Sequence, residues 1–163
     1  MKVLYFGGQK SGKSNLAELK ALSLASNKPF YIATYDNSYD DKEMHKRVDK
    51  HKKSREDNFT TLEESKDLTK LIKEKETYLV DCISMWIFNN IEKEEEELLK
   101  QLETLDQLDC NIVFVLNEVT SGVIPFDKDS RRFVDLTGII GQKLAKICDE
   151  VYEVKFGLES RLK

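Results

Sequence analysis

The sequence predicts an α/β fold of three layers, a mainly parallel sheet with helices on both faces. Three observations carry this. Short apolar runs alternate with longer charged stretches of helical periodicity, the pattern of repeated strand–helix–strand units. The first run, Val3–Phe6, leads directly into Gly7-Gly8-Gln9-Lys10-Ser11-Gly12-Lys13-Ser14, and that into the helix-like stretch from Asn15 to Leu22. With 163 residues, 40% hydrophobic and 34% charged, the chain is long enough for one cored domain, residues 1–163.

Strands are expected at Val3–Phe6, Phe30–Ala33, Phe59–Leu62, Tyr78–Cys82, Asn111–Leu116 and Val151–Lys155, where apolar and β-branched residues cluster. Between them, helices are expected at Lys13–Ser26, Asp41–Arg55, Lys66–Lys75, Ser84–Ile91, Lys93–Leu108 and Ser130–Cys148. Pro29 and Pro125 both fall outside these elements, and no internal repeat or linker composition interrupts them. The acidic run Glu94-Glu95-Glu96-Glu97 suits the start of a helix, where the macrodipole favours negative charge.

The loop from Gly7 to Ser14 satisfies G-x-x-x-x-G-K-[ST]. Glycines allow positive φ and close approach, so consecutive N–H groups can turn toward one anion, and the helix N-terminus adds its free amides. In this motif Lys13 reaches the β- and γ-phosphates and Ser14 offers its hydroxyl to Mg²⁺. The fold is therefore expected to be P-loop NTPase-like, with ligands at the carboxyl ends of the strands. That rule selects Thr34, Tyr35 and Asp36 after the second strand, Asp81 and Cys82 ending the fourth, and Asn117-Glu118-Val119 after the fifth. Asp81 stands where such proteins place a carboxylate that serves Mg²⁺.

Composition narrows the function. A net charge of −4 argues against a general nucleic-acid binder. The longest apolar run within a strand, Ile112–Leu116, is far too short to span a membrane. No leader of signal length precedes the first strand, so a cytoplasmic enzyme is expected. Cys82, Cys110 and Cys148 read as free thiols, and two histidines are too few for a zinc site.

The segment from Asp41 to Arg55 is basic within an acidic chain: seven of residues 42–55 are Lys or Arg. As a helix it would place Arg47, His51 and Arg55 on one face. Neighbouring positive charge keeps an imidazole neutral and nucleophilic while attracting polyphosphate. Read alone, a basic surface helix carrying two histidines is usually only a solvated face, and a docking surface for an acidic partner is a further, non-enzymatic reading.

The chain resembles the bifunctional adenosylcobinamide kinase/adenosylcobinamide-phosphate guanylyltransferase family of cobalamin biosynthesis. The matching segments are GGQKSGKS (7–14), YIAT (31–34), D-x-E-M-x-x-R-V-x-x-H-x-x-x-R (41–55), Thr61 with Glu63, DCIS-x-W-x-x-N (81–89), NEV-x-x-GVIP (117–125), R-x-F-x-D-x-x-G (131–138) and DEVYEV (149–154). The resemblance implies phosphoryl transfer from ATP or GTP to adenosylcobinamide, then GMP transfer from GTP through a guanylylated histidine. That histidine falls on His51, not His45. It further implies that Gly7–Ser14 cradle phosphate, that Thr34, Tyr35, Asp36, Lys52, Lys53, Ser54 and Glu63 contact nucleotide, and that Ser14 and Asp81 serve Mg²⁺. A homotrimer with sites near subunit boundaries is also implied, with the histidine helix moving or a neighbouring subunit contributing. The chain departs from the family at Thr120-Ser121, after NEV, and at Gly141, and it is short between Asn90 and Asp109. Guanylyl transfer alone, or an NTPase or GTP-binding switch with no corrinoid substrate, are the competing readings.

Overall fold

The computed structural model describes residues 1–35 and 57–163. The expected helix Asp41–Arg55 lies outside the described residues. Strand β1 (Lys2–Gly7) runs through the phosphate loop into helix α1 (Lys13–Leu24). There follow β2 (Phe30–Ala33), β3 (Thr60–Glu63), a single 3₁₀ turn at Leu68–Lys70, and β4 (Thr77–Asp81). Helices α2 (Ile83–Asn89) and α3 (Glu95–Gln107) lead to β5 (Asn111–Asn117). Helix α4 (Lys128–Ile147) returns the chain to β6 (Glu150–Lys155) and β7 (Leu158–Arg161).

The seven strands lie in the order β3-β2-β4-β5-β1-β6-β7. Every pairing is parallel except β6 with β7. Because side chains alternate across a strand, each strand feeds two cores. On one face Leu4, Val80, Phe114 and Leu116 pack against Trp86 and Ile87 of α2, Leu98, Leu102 and Leu105 of α3, and Ile140 and Leu144 of α4. On the other, Val3, Tyr5, Leu79, Val113 and Val115 meet α1. Helix α1 presents Lys13, Ala17 and Ala21, four apart, and the two alanines let its backbone approach the sheet closely. This is the three-layer arrangement the sequence predicts.

Local chemistry sets the helix ends. The Asp127 carboxylate accepts from the Ser130 N–H at 2.8 Å and starts α4 two residues before the expected Ser130. Glu95, Glu96 and Glu97 occupy the first turn of α3, where their charge opposes the free amides.

Two elements differ from the sequence expectation. Residues 66–75 form only the 3₁₀ turn. The Lys66 carbonyl, needed for a helical bond, instead accepts from Trp86 Nε1 at 3.1 Å and Asn90 Nδ2 at 3.1 Å. Asp67 Oδ1 takes the Thr69 hydroxyl at 2.6 Å, a local bond that competes with helix. The second difference is β7, an edge strand whose four residues are all exposed and so show no alternation to read.

Leu102 of α3 is fully buried in the core that α3 shares with α2 and α4. Leu102→Ala is expected to lower stability by about 2–5 kcal/mol, read as a lower urea midpoint with an unchanged slope.

Candidate functional site

The site lies along the carboxyl edge of the sheet. Gly7 ends β1 so close to β6 that a Cβ there would stand 2.3 Å from the Val154 carbonyl oxygen. Gly12, the residue before α1, has φ 96°, a conformation that side chains resist. Gly8 is different, since a Cβ would meet nothing within 4 Å. The protein itself therefore requires glycine at 7 and 12 but not at 8. Lys10 also takes positive φ, 56°.

Backbone bonds hold this loop from both sides. The Glu118 N–H donates to the Gly7 carbonyl at 2.9 Å from the β5 end. The Gly157 N–H, in the turn between β6 and β7, donates to the Ser11 carbonyl at 2.7 Å. Inside the loop the Ser11 hydroxyl is buried with no hydrogen-bond partner.

Lys13 is buried, 6% exposed, and its ammonium donates to the Gly8 carbonyl at 3.1 Å. Burial lowers its pKa, while the neighbouring Cys82 and Asp81 pull it back up. A desolvated cation at the start of a helix, under a glycine-bearing loop, is an electrostatic socket for polyphosphate. Beside it, desolvation pushes the Cys82 thiol up to about 12. This sulfur therefore stays protonated at neutral pH and is no nucleophile.

Asp81 ends β4, with β5 between it and the phosphate-loop strand. Two steps of about 4.8 Å put the Asp81 strand about 10 Å from β1. The Tyr31 hydroxyl donates to Asp81 Oδ2 at 3.2 Å. A serine hydroxyl and a carboxylate are the hard oxygen donors that Mg²⁺ prefers, so Ser14 and Asp81 fit that ion.

Thr34 is fully buried. Its hydroxyl donates to the Cys82 carbonyl at 2.7 Å and accepts from the Cys82 N–H at 2.9 Å. With both functions engaged, the side chain clamps the end of β4 and with it Asp81. The Thr34 carbonyl in turn accepts from Asn89 Nδ2 at 2.7 Å, and the same amide nitrogen donates to the Ser65 carbonyl at 3.0 Å. Asn89 thus ties the ends of β2 and β3 together. Glu63, exposed at the end of β3, stands four strand steps from β1, about 19 Å.

Glu118 Oε1 accepts from the Thr120 N–H and hydroxyl, both at 2.6 Å, and from the Ser121 N–H at 3.0 Å. These bonds, the Thr120 hydroxyl first, hold its carboxyl below the usual range. Its near neighbourhood opens on a cavity of about 410 Å³ between α4 and the sheet, lined by Leu4, Phe6, Leu116, Gly138, Gly141 and Val151.

The structure thus gathers Gly7, Gly8, Gln9, Lys10, Ser11, Gly12, Lys13, Ser14, Thr34, Tyr35, Glu63 and Asp81 on one edge of the sheet. Asp36, His45, His51, Lys52, Lys53 and Ser54 lie outside the described residues. Sequence reasoning missed the clamp role of Thr34, the tie made by Asn89, and the Phe156-Gly157 turn against the loop. The only sequence signal for the last was a glycine two residues after an apolar run. All three cysteines are free. Among the described residues no cluster of His, Cys, Asp and Glu could hold a metal ion, and no helix is long and apolar enough to cross a membrane.

Fold and loop together define a P-loop NTPase-like protein. The model of the cobinamide kinase / cobinamide phosphate guanyltransferase family matches residues 3–162, and the chain belongs to that family. The chain is 36% identical over 177 residues to the bifunctional adenosylcobalamin biosynthesis protein CobP of Pseudomonas aeruginosa, covering all of this chain and 98% of that one. It is 29% identical over 185 residues to the bifunctional adenosylcobalamin biosynthesis protein CobU of Escherichia coli, both chains being fully covered. Among solved structures, a KaiC-like protein of Pyrococcus horikoshii aligns with 93% of this chain and 69% of its own, at 13% identity and a TM-score of 0.48.

Removing the clamp tests its role. Thr34→Val is expected to cost about 1–3 kcal/mol, because the buried Cys82 N–H and carbonyl lose their partner. Thr34→Ser is expected to keep most of that stability. Thermal unfolding of the three proteins compares them.

Proposed function

We propose that the chain carries out both transfers named for its family, on a corrinoid acceptor, in the cytoplasm and as a homotrimer. The observation that carries this reading is the buried Lys13 in its amide loop, with the Asp81 strand end beside it, in a chain that matches the family from residue 3 to 162. The same match includes the histidine string from Asp41 to Arg55.

In the first transfer the acceptor's hydroxyl oxygen attacks the γ-phosphorus of ATP or GTP. The bond to the β–γ bridging oxygen breaks, the nucleoside diphosphate leaves, and the hydroxyl proton passes to solvent or a base. Lys13 and the loop amides stabilise charge on the phosphate oxygens, each such charge-assisted bond contributing about 1.5–3 kcal/mol. The orphaned Ser11 hydroxyl supports the same reading, since a phosphate oxygen would supply its missing partner. Ser14 and Asp81 would hold Mg²⁺, which when bound neutralises phosphate charge.

In the second transfer a ring nitrogen of His51 attacks the α-phosphorus of GTP. The bond to the α–β bridging oxygen breaks and pyrophosphate leaves from the cradle. A phosphate oxygen of the adenosylcobinamide phosphate then attacks the same phosphorus and the P–N bond breaks, giving adenosylcobinamide-GDP. Two displacements with a positioned nucleophile replace one encounter between anions. Tyr35, Asp36, Lys52, Lys53, Ser54 and Glu63 are assigned to the guanosine, with Thr34 acting through the strand end it clamps.

Incubation with α-³²P-labelled GTP and Mg²⁺ is expected to give an acid-labile, alkali-stable label, with one GMP added to the peptide holding His51. His51→Ala should abolish the label, and His45→Ala should retain it. Equal labelling of His51→Ala and wild type contradicts the assignment.

A further inference from the structure

The turn between β6 and β7 is chemically out of character. Lys155 pairs with Leu158, leaving Phe156 and Gly157 as a two-residue hairpin loop. Both have positive φ, 52° and 82°, the pattern of a type I′ turn. That turn strongly favours Asn-Gly, because a bulky side chain in the left-handed region is strained. Phe156 accepts this strain and gains no burial for its ring, which is 98% exposed. Local stability therefore gives no reason for phenylalanine here, and strain of this kind collects at functional sites.

Its position supplies the reason. The next residue, Gly157, donates to the Ser11 carbonyl at 2.7 Å, and a Cβ on Gly12 would come within 3.1 Å of the Gly157 Cα. The aromatic ring is thus carried by a turn fastened to the phosphate loop. The turn follows β6, which borders β1 on the side opposite β5 and β4. Asp81 lies on the β4 side, and Lys13 feels its charge. A phosphoryl donor whose γ-phosphate faces Asp81 runs its phosphate chain back along the loop. Its nucleoside then emerges on the β6 side, at Phe156. Tyr35 and Glu63, assigned above to the transferred guanosine, lie toward the other end of the edge, beyond β4.

We propose that Phe156 is the stacking platform for the purine of the phosphoryl donor, in a subsite distinct from that of the guanosine transferred in the second reaction. This rests on the two-transfer reading above. An exposed phenyl ring offers a face to any base, which fits a donor site that accepts ATP and GTP alike.

The test uses the full-length protein and compares wild type with Phe156→Ala, Phe156→Tyr and Phe156→Asn. With a corrinoid acceptor, Phe156→Ala is expected to raise the KM for ATP and for GTP in the phosphoryl transfer by about 5- to 150-fold, the range of base–aromatic stacking. Phe156→Tyr should restore it. Binding of inorganic tripolyphosphate, which has no base, should be unchanged, as should GMP labelling from GTP without acceptor. Phe156→Asn should raise the melting temperature by about 2–4 °C while weakening the donor as alanine does. An unchanged KM overturns the proposal, as does a parallel loss of tripolyphosphate binding, which would mean a disturbed loop. A drop in solution mass of the alanine variant also overturns it, by assigning the ring to a subunit contact. A wild type that transfers no phosphoryl group fails the two-transfer reading instead.

Discussion

The site depends on a phosphate loop whose two flanks are both fastened. On one side the Glu118 N–H holds the Gly7 carbonyl, and on the other the Gly157 N–H holds the Ser11 carbonyl. These two bonds engage loop carbonyls from the outside. Lys13 sits beneath, desolvated and pointed at the Gly8 carbonyl. A cation buried this way is destabilising by itself, and a polyphosphate chain is the partner that relieves it. The steric demand at Gly7 and the positive φ at Gly12 follow from the same geometry, because the loop must pass against β6 and then start a helix.

A second layer of constraint fixes where the edge's other groups stand. Thr34 clamps Cys82, Asn89 joins the ends of β2 and β3, and the Ser84 hydroxyl accepts from the Asn117 N–H at 2.9 Å. Side chains of α2 thus govern the ends of three strands. Transfer chemistry needs reacting groups held to a fraction of an ångström, and strand ends locked by buried hydrogen bonds supply that rigidity.

How much was legible follows from whether the determinant is local. The loop could be read because positive φ and close approach act within eight residues. The alternating layers could be read because burial on both faces leaves continuous apolar runs such as Ile112–Leu116. The failed helix at 66–75 could not be foreseen, because the partners of the Lys66 carbonyl lie 20 and 24 residues further on, at Trp86 and Asn90. Thr34 was selected for its place at a strand end, yet its bond partner is 48 residues away, so its role as a clamp was hidden. Strand β7 has no buried face, so nothing in its pattern separates it from a tail. The nucleophilic role proposed for His51 rests on the resemblance, since the residues alone favoured a solvated face.

The central claim is that one phosphate cradle serves a covalent nucleotidyl transfer through His51. The most direct measurement is isotope exchange between ³²P-labelled pyrophosphate and unlabelled GTP, with Mg²⁺ present and corrinoid absent. Reversible attack at the α-phosphorus predicts label appearing in GTP, at a rate abolished by His51→Ala. A wild-type protein that binds GTP but exchanges no label without acceptor would contradict the account.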